Sequence, residues 1–149
     1  MTQLWRSVAG LRIYGETLHP DEITRVLGAP PTLSRLKGDV QYRSKAGRET
    51  IAKAGMWLLN ATDREPEDVN DQVTEILGKL TDDLDVWNSL SQTFDIDLYC
   101  GWFMQESNEG LEITPATLAA LSARGIMLRI ETYAPSRDQA APTGSPPAE

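Results

Sequence analysis

The chain has 149 residues, 40% of them apolar and 24% charged, with a formal net charge of −8. That length and composition fit one globular domain able to bury its own core, and they exclude a disordered or fibrous chain. The acid excess argues against DNA or RNA as the main partner, because phosphate neutralisation dominates nucleic-acid affinity, while a basic protein surface would be complementary.

Cys100 is the single cysteine. An intrachain disulfide and a cysteine-pair metal site are therefore both ruled out, and a reducing compartment is expected. The N-terminus, MTQLWRSVAG, lacks the basic region and apolar run of a signal peptide. No apolar stretch approaches the roughly 20 residues of a membrane span. The expected location is the cytoplasm, without membrane contact.

Val8 to Tyr14 reads as the first strand, since Leu11 and Ile13 alternate with Arg12 and Tyr14. A helix start follows. Pro20 suits the first helical position, Asp21 and Glu22 favour the positive helix end, and Leu18 and Ile23 have the spacing of a hydrophobic staple. Gly28 ends that helix and Pro30-Pro31 prevent its return. Residues 32–54 read as irregular. Gly55 to Ala61 is a nearly all-apolar strand, expected to be central.

Pro66 is expected to open the longest helix, with Val69, Val73, Ile76, Leu77, Leu80, Leu84, Trp87 and Leu90 on one face. Ile96 to Met104 is the third strand. Ser107 to Gly110 is a turn, and Leu111 to Ile113 a short return strand. Thr114-Pro115 starts a helix whose Leu118 and Leu121 face the core and which Gly125 closes. Ile126 to Tyr133 is the last strand. The expected fold is α+β: a mixed, mostly antiparallel sheet with helices packed on one face. From Gly55 onward the order matches a ferredoxin-like β-α-β-β-α-β core preceded by a β-α unit. Residues 1–134 form the domain, and 135–149, rich in Pro, Ala and Ser without an aromatic residue, are expected to be a disordered tail.

The pieces of this pattern resemble a bacterial family, domain of unknown function 4279. They are the strand ending at Gly15, PDEITRVLG at 20–28, PTLSRLKGD at 31–39, GMW at 55–57, LYCGWF at 98–103, and LEITPATLAALSARGIMLRIETY at 111–133. The resemblance spans Val8 to Tyr133. It implies a small bacterial protein, and some members look like immunity proteins that sit beside secreted toxins and neutralise them. It supplies no catalytic residues.

No catalytic set emerges from the residues themselves. His19 is the only histidine and must carry any histidine-based scheme, yet its place before Pro20 suits a surface residue at a helix start. Cys100 shares a strand face with Ile96, Leu98 and Trp102, the setting of an inert buried thiol. The Asp82-Asp83-Leu84-Asp85 run lacks the glycine and the spacing of a calcium loop, and reads as a solvated helix face. Phosphate-binding glycine motifs are absent. No catalytic residue, metal or cofactor is assigned.

Two surfaces stand out. The segment 35–53 carries Arg35, Lys37, Arg43, Lys45, Arg48 and Lys53 against Asp39 and Glu49, a net of +4, so the rest of the chain carries −12. With Tyr42, this loop suits an anion or an acidic surface; the plainer reading is a solvated loop that balances the body. The second surface is the sheet face turned away from the helices. If Leu11, Ile13, Leu98, Cys100, Leu128 and Ile130 face the helices, then Arg12, Tyr14, Tyr99, Phe103, Arg129, Glu131 and Tyr133 face outward. Aromatic and arginine side chains have the composition of a binding hot spot. The expected function is non-enzymatic protein binding, with a toxin-neutralising immunity protein the leading case. A small-ligand or regulatory module on the open face is the alternative. A homodimer would cover the same face.

Overall fold

The computed structural model describes residues 2–136. Beyond Ser136 the expected tail lies outside the described residues. The main sheet has five strands: β2 (Arg6–Gly15), β3 (Leu33–Arg35), β6 (Gly55–Asn60), β7 (Asp95–Phe103) and β9 (Met127–Tyr133), in the order β3-β6-β2-β7-β9. Pairings are antiparallel except for β7 with β9, which run parallel through a helical crossover. A hairpin of β4 (Val40–Arg43) and β5 (Glu49–Ile51), and a short parallel pair of β1 (Thr2–Gln3) and β8 (Glu109–Gly110), stand apart from it.

The expected α+β class, mixed sheet and packed helices are present. The expected β-α-β-β-α-β unit from Gly55 onward is not the arrangement found. β2 separates β6 from β7, and β8 pairs with β1 instead of entering the main sheet. β2 takes the middle position, and β6 is interior beside it, paired with β2 on one edge and with β3 on the other. Residues 32–54 are also more regular than expected, since they contain β3, β4 and β5.

Helix α1 (Pro20–Leu27) begins as the sequence implies, with proline at its start and acids in its first turn. Gly28 ends it at φ +92°, where a side chain would be strained. The single long helix expected from Pro66 is two helices, α2 (Val69–Leu77) and α3 (Leu84–Thr93). Asp68 caps α2 by accepting the Asp71 N–H at 3.0 Å, and Asp83 caps α3 by accepting the Asp85 N–H at 3.0 Å. Between them, the Thr81 N–H donates to the Leu27 carbonyl at 2.8 Å, and the Thr81 carbonyl accepts the Trp87 indole N–H at 2.8 Å. Gly78 weakens the helix, and an aspartate that bonds its own local backbone starts a new one. The apolar period runs through the break because both helices bury one face on the same sheet. Leu84 is consequently not a core residue; it is 47% exposed.

Helix α4 (Pro115–Ala123) is capped by Thr114, as expected. It buries Leu121 but leaves Leu118 49% exposed, because Thr117, not Leu118, takes the inward place and bonds Asn70 of α2 at 2.7 Å. The core joins Leu11, Ile13, Trp57, Leu98 and Cys100 of the sheet to Ile23, Leu27, Val69, Val73, Ile76, Trp87 and Leu90 of the helices. Each such side chain contributes about 1.5–3 kcal/mol by leaving water. Ile130 keeps the expected side of the sheet but is 41% exposed.

One polar pair is buried inside this layer. Gln72 of α2 accepts the Ser7 hydroxyl at 2.7 Å and donates to the Ser7 and Thr62 carbonyls at 3.0 Å each. These bonds fix α2 against β2. Gln72→Ala is expected to cost about 1–3 kcal/mol, read from urea unfolding, since it strands the Ser7 hydroxyl in a dry layer. The exposed Gln92→Ala should fall within about 0.5 kcal/mol of wild type. Equal losses at both positions would refute the docking role.

Candidate functional site

The outer face of the sheet carries no helix. Cross-strand register aligns its side chains in rows. Leu33, Leu58, Arg12, Asp97 and Met127 form one row across all five strands. Tyr99 and Arg129 are paired in the next row, and Arg6, Phe103 and Tyr133 in the row at the far end. The expected outward set of Arg12, Tyr14, Tyr99, Phe103, Arg129, Glu131 and Tyr133 thus shares one surface.

Its centre is a residue absent from that set. Asp97 has a side chain only 1% exposed. Arg12 grips it with two bonds, Nε to Oδ1 at 2.7 Å and Nη2 to Oδ2 at 2.8 Å. Arg129 Nε donates to Oδ2 at 3.0 Å, and the Tyr14 hydroxyl donates to the same oxygen at 3.3 Å. Burial pushes the Asp97 carboxyl up, but the hydrogen bonds and charges of Arg12 and Arg129 outweigh it and hold the group below the usual carboxylate range. The signal was present in the strand alternation, which puts Asp97 on the same side as Tyr99. Recognising it as a hub requires the register of β2 and β9 against β7.

A second network adjoins the first. The Tyr99 and Tyr133 hydroxyls lie 3.0 Å apart and within hydrogen-bond distance of Glu131 Oε2, at 3.1 and 2.7 Å, so that one hydroxyl donates to the carboxylate and the other is shared within the triad. The bond to Tyr133, then burial and the Glu131 charge, raise the Tyr99 hydroxyl well above its ordinary value. The rings are fixed as well. Phe103 stacks on Tyr133 with centroids 4.7 Å apart, and the Arg12 guanidinium sits 5.0 Å from the Tyr99 ring centre. Arg6, another residue not expected here, lies 4.8 Å over Phe103. Gly101 keeps this corner open: a Cβ there would fall 2.7 Å from Val8 Cγ2 and against the Phe103 and Tyr133 rings.

The basic segment divides. Arg43 pairs with Glu49 at 2.6 Å, and Lys37 approaches Glu16 at 3.8 Å. Lys45 and Arg48 are exposed near the hairpin tip and belong to neither outer-face network. Arg35, on β3, is in register with Met56 and so points to the outer face. There the hairpin folds against the sheet, and a cavity of about 330 Å³ lies between Arg12, Tyr14, Arg35, Gln41, Lys53 and Met56.

A family model, domain of unknown function (DUF4279), matches residues 4–135. The chain belongs to this family. No curated protein and no solved structure matches it. The DUF4279 match covers every element that builds the outer face. Among the described residues, no helix is long and apolar enough to cross a membrane, and no group of three or more His, Cys, Asp or Glu side chains is placed to share a metal ion.

The two residues weighed for chemistry sit apart from the outer face. His19 is exposed at the start of α1, and its side chain makes no cap bond. Cys100 is fully buried on the helix side. Burial, helped by the Asp97 charge, pushes its thiol up to about 12. A disulfide reagent at pH 8 is therefore expected to leave folded Cys100 unmodified over hours and to label it fully in denaturant. Rapid labelling of the folded chain would contradict its place in the core.

Asp97→Asn keeps the shape of the hub and removes its charge. Arg12 and Arg129 remain partly in water, so the expected loss is about 1–3 kcal/mol at pH 7. The sign with pH follows from the lowered carboxyl. The unfolded chain takes up the proton first, near the ordinary value of about 3.9, so the stabilisation is complete above that value and is lost as pH falls through the folded one. Parallel urea titrations of wild type and variant should show a constant gap near neutrality that narrows below about pH 4. A gap unchanged down to about pH 2.5 would exclude the ionised hub.

Proposed function

We propose that this protein is a non-enzymatic recognition module that binds a protein partner through the outer sheet face, in the manner of a bacterial immunity protein that neutralises a secreted toxin. The observation that carries this reading is the outer face itself. Three adjacent strands, β2, β7 and β9, present Arg12, Tyr14, Tyr99, Phe103, Arg129 and Tyr133 on a surface that no helix covers, and their networks hold them in fixed rotamers. Rigid aromatic and arginine anchors lose little entropy on binding and supply most of the energy of protein interfaces. Leu33 and Met127 extend the face with exposed apolar area at its two edge strands.

Charge supports the same class of partner. The formal net charge of −8 would steer a basic toxin toward the chain, and the anchors would then fix the contact. A second copy of the chain is the competing occupant of the face.

The test is co-expression with candidate toxins, beginning with any toxin-like product of a neighbouring gene. Protection of the cells and co-purification of the two chains are expected. Tyr133→Ala should weaken the complex about 30-fold, the effect of removing one anchor worth roughly 2 kcal/mol, and leave the melting temperature near that of wild type. Failure to protect against any neighbouring toxin, or full binding by Tyr133→Ala combined with Met127→Glu, would remove this reading. A mass that doubles with concentration and returns to one chain in the same double variant would assign the face to a second copy.

A further inference from the structure

We infer that the cavity between the outer sheet face and the β4–β5 hairpin is a binding site for the phosphoryl group of a small organic phosphate. The site lies at the hairpin end of the face, away from Tyr133 and Phe103, and shares Arg12 and Tyr14 with the proposed partner surface, so it is tested separately with small anions.

Three observations carry it. First, the charge is unspent. Arg35 and Lys53 line the cavity, and neither side chain has an ion pair or hydrogen bond among the described residues. No carboxylate lines it. Asp97 is buried and already held by Arg12 and Arg129, and Glu16 and Glu49, which line the adjoining cavity beside Lys53, pair with Lys37 and Arg43. Two unneutralised cations facing one small volume repel each other and match the charge of a phosphoryl dianion.

Second, neutral polar groups complete the lining. The β4–β5 ladder shifts register between Val40 and Tyr42, and the residue at the shift is Gln41. Such a bulge re-aims one side chain out of the ladder, and Gln41 lines the cavity. Tyr14 also lines the cavity, its hydroxyl donating to Asp97, and the Arg12 guanidinium spends its Nε–Nη2 edge on Asp97, leaving Nη1 uncommitted. Amide and guanidinium donors beside the two cations suit the several acceptor oxygens of a phosphoryl group better than the two of a carboxylate.

Third, the cavity is larger than an inorganic anion needs. About 330 Å³ is the lower range of small-ligand sites. Met56 and the Tyr14 ring give it an apolar wall on which an organic portion can rest.

Calorimetric or NMR titration of the full chain with inorganic phosphate, phenyl phosphate and acetate tests the assignment. Saturable binding of both phosphates is expected, with phenyl phosphate about tenfold tighter and acetate at least about tenfold weaker than phosphate. Lys53→Gln should weaken phenyl phosphate about tenfold, the loss of one charge-assisted bond. Lys45→Gln, which makes the same change of net charge outside the cavity, should have little effect. Lys53 is exposed, so its variant is expected to fold, and circular dichroism checks that it does. No saturation by either phosphate below about 50 mM, far weaker than the roughly millimolar binding of even modest ligands, would overturn the site. Equal weakening by Lys53→Gln and Lys45→Gln would do the same, since only general charge would then be at work. Equal affinity for inorganic and phenyl phosphate would overturn the organic ligand.

Discussion

The buried carboxylate of Asp97 constrains more of this molecule than any other single group. A charge taken out of water at the middle of a sheet must be met by opposite charge and hydrogen bonds, or it would cost several kcal/mol. Arg12 comes from β2 and Arg129 from β9, the two neighbours of β7. The bonds therefore tie three adjacent strands at one register. A slip of one residue on β7 would turn Asp97 into the Leu98 side of the sheet, among Leu11, Ile13 and Trp87, where no cation is available. The parallel β7–β9 pairing is the one most in need of such a tie, because it is made across a helical crossover and not through a tight turn.

That constraint separates the two faces by chemistry. On the helix side the sheet is apolar, and the Ser7–Gln72 pair buried there is fully bonded, while the Trp102 indole N–H is buried without a partner. On the outer side, away from the hairpin, the polar groups of β2, β7 and β9 bond one another. Arg12 and Arg129 meet Asp97, while Tyr99 and Tyr133 meet Glu131. Such a network is stiff, because moving any one side chain breaks bonds of its neighbours. The surface is thus shaped before anything arrives to meet it.

Much of this was legible from alternation alone. The period of two in Leu11-Arg12-Ile13-Tyr14 and in the strand through Tyr99 and Cys100 put the correct residues on each face, and Thr114-Pro115 marked a true helix start. Three things were not legible. The break between α2 and α3 was masked because both helices bury the same apolar stripe, so the helical period continues through Gly78 to Asp83. The spacing of α4 permits two inward faces, one of which would bury Leu118; only the Thr117–Asn70 bond decides between them. Asp97 lay in plain alternation, but its role depends on which strands flank β7. That is a long-range pairing, and local propensity does not encode it. The same limit explains the strand order, in which the first long strand of the chain, β2, enters between two later ones.

The outer face carries two kinds of recognition chemistry at its two ends. Toward Phe103 and Tyr133 the charges are neutralised within the network and the rings are stacked, so what is offered to a partner is shape and aromatic area. Toward the hairpin the opposite holds: Arg35 and Lys53 stand unneutralised over a small cavity with a re-aimed glutamine beside them. Apolar and aromatic area is indifferent to ionic strength, whereas attraction between exposed charges is screened within about 10 Å at 0.1 M salt. The two ends should therefore respond differently to salt, and that difference separates a contact made by the aromatic end from one made by the basic end even when both lie on one sheet.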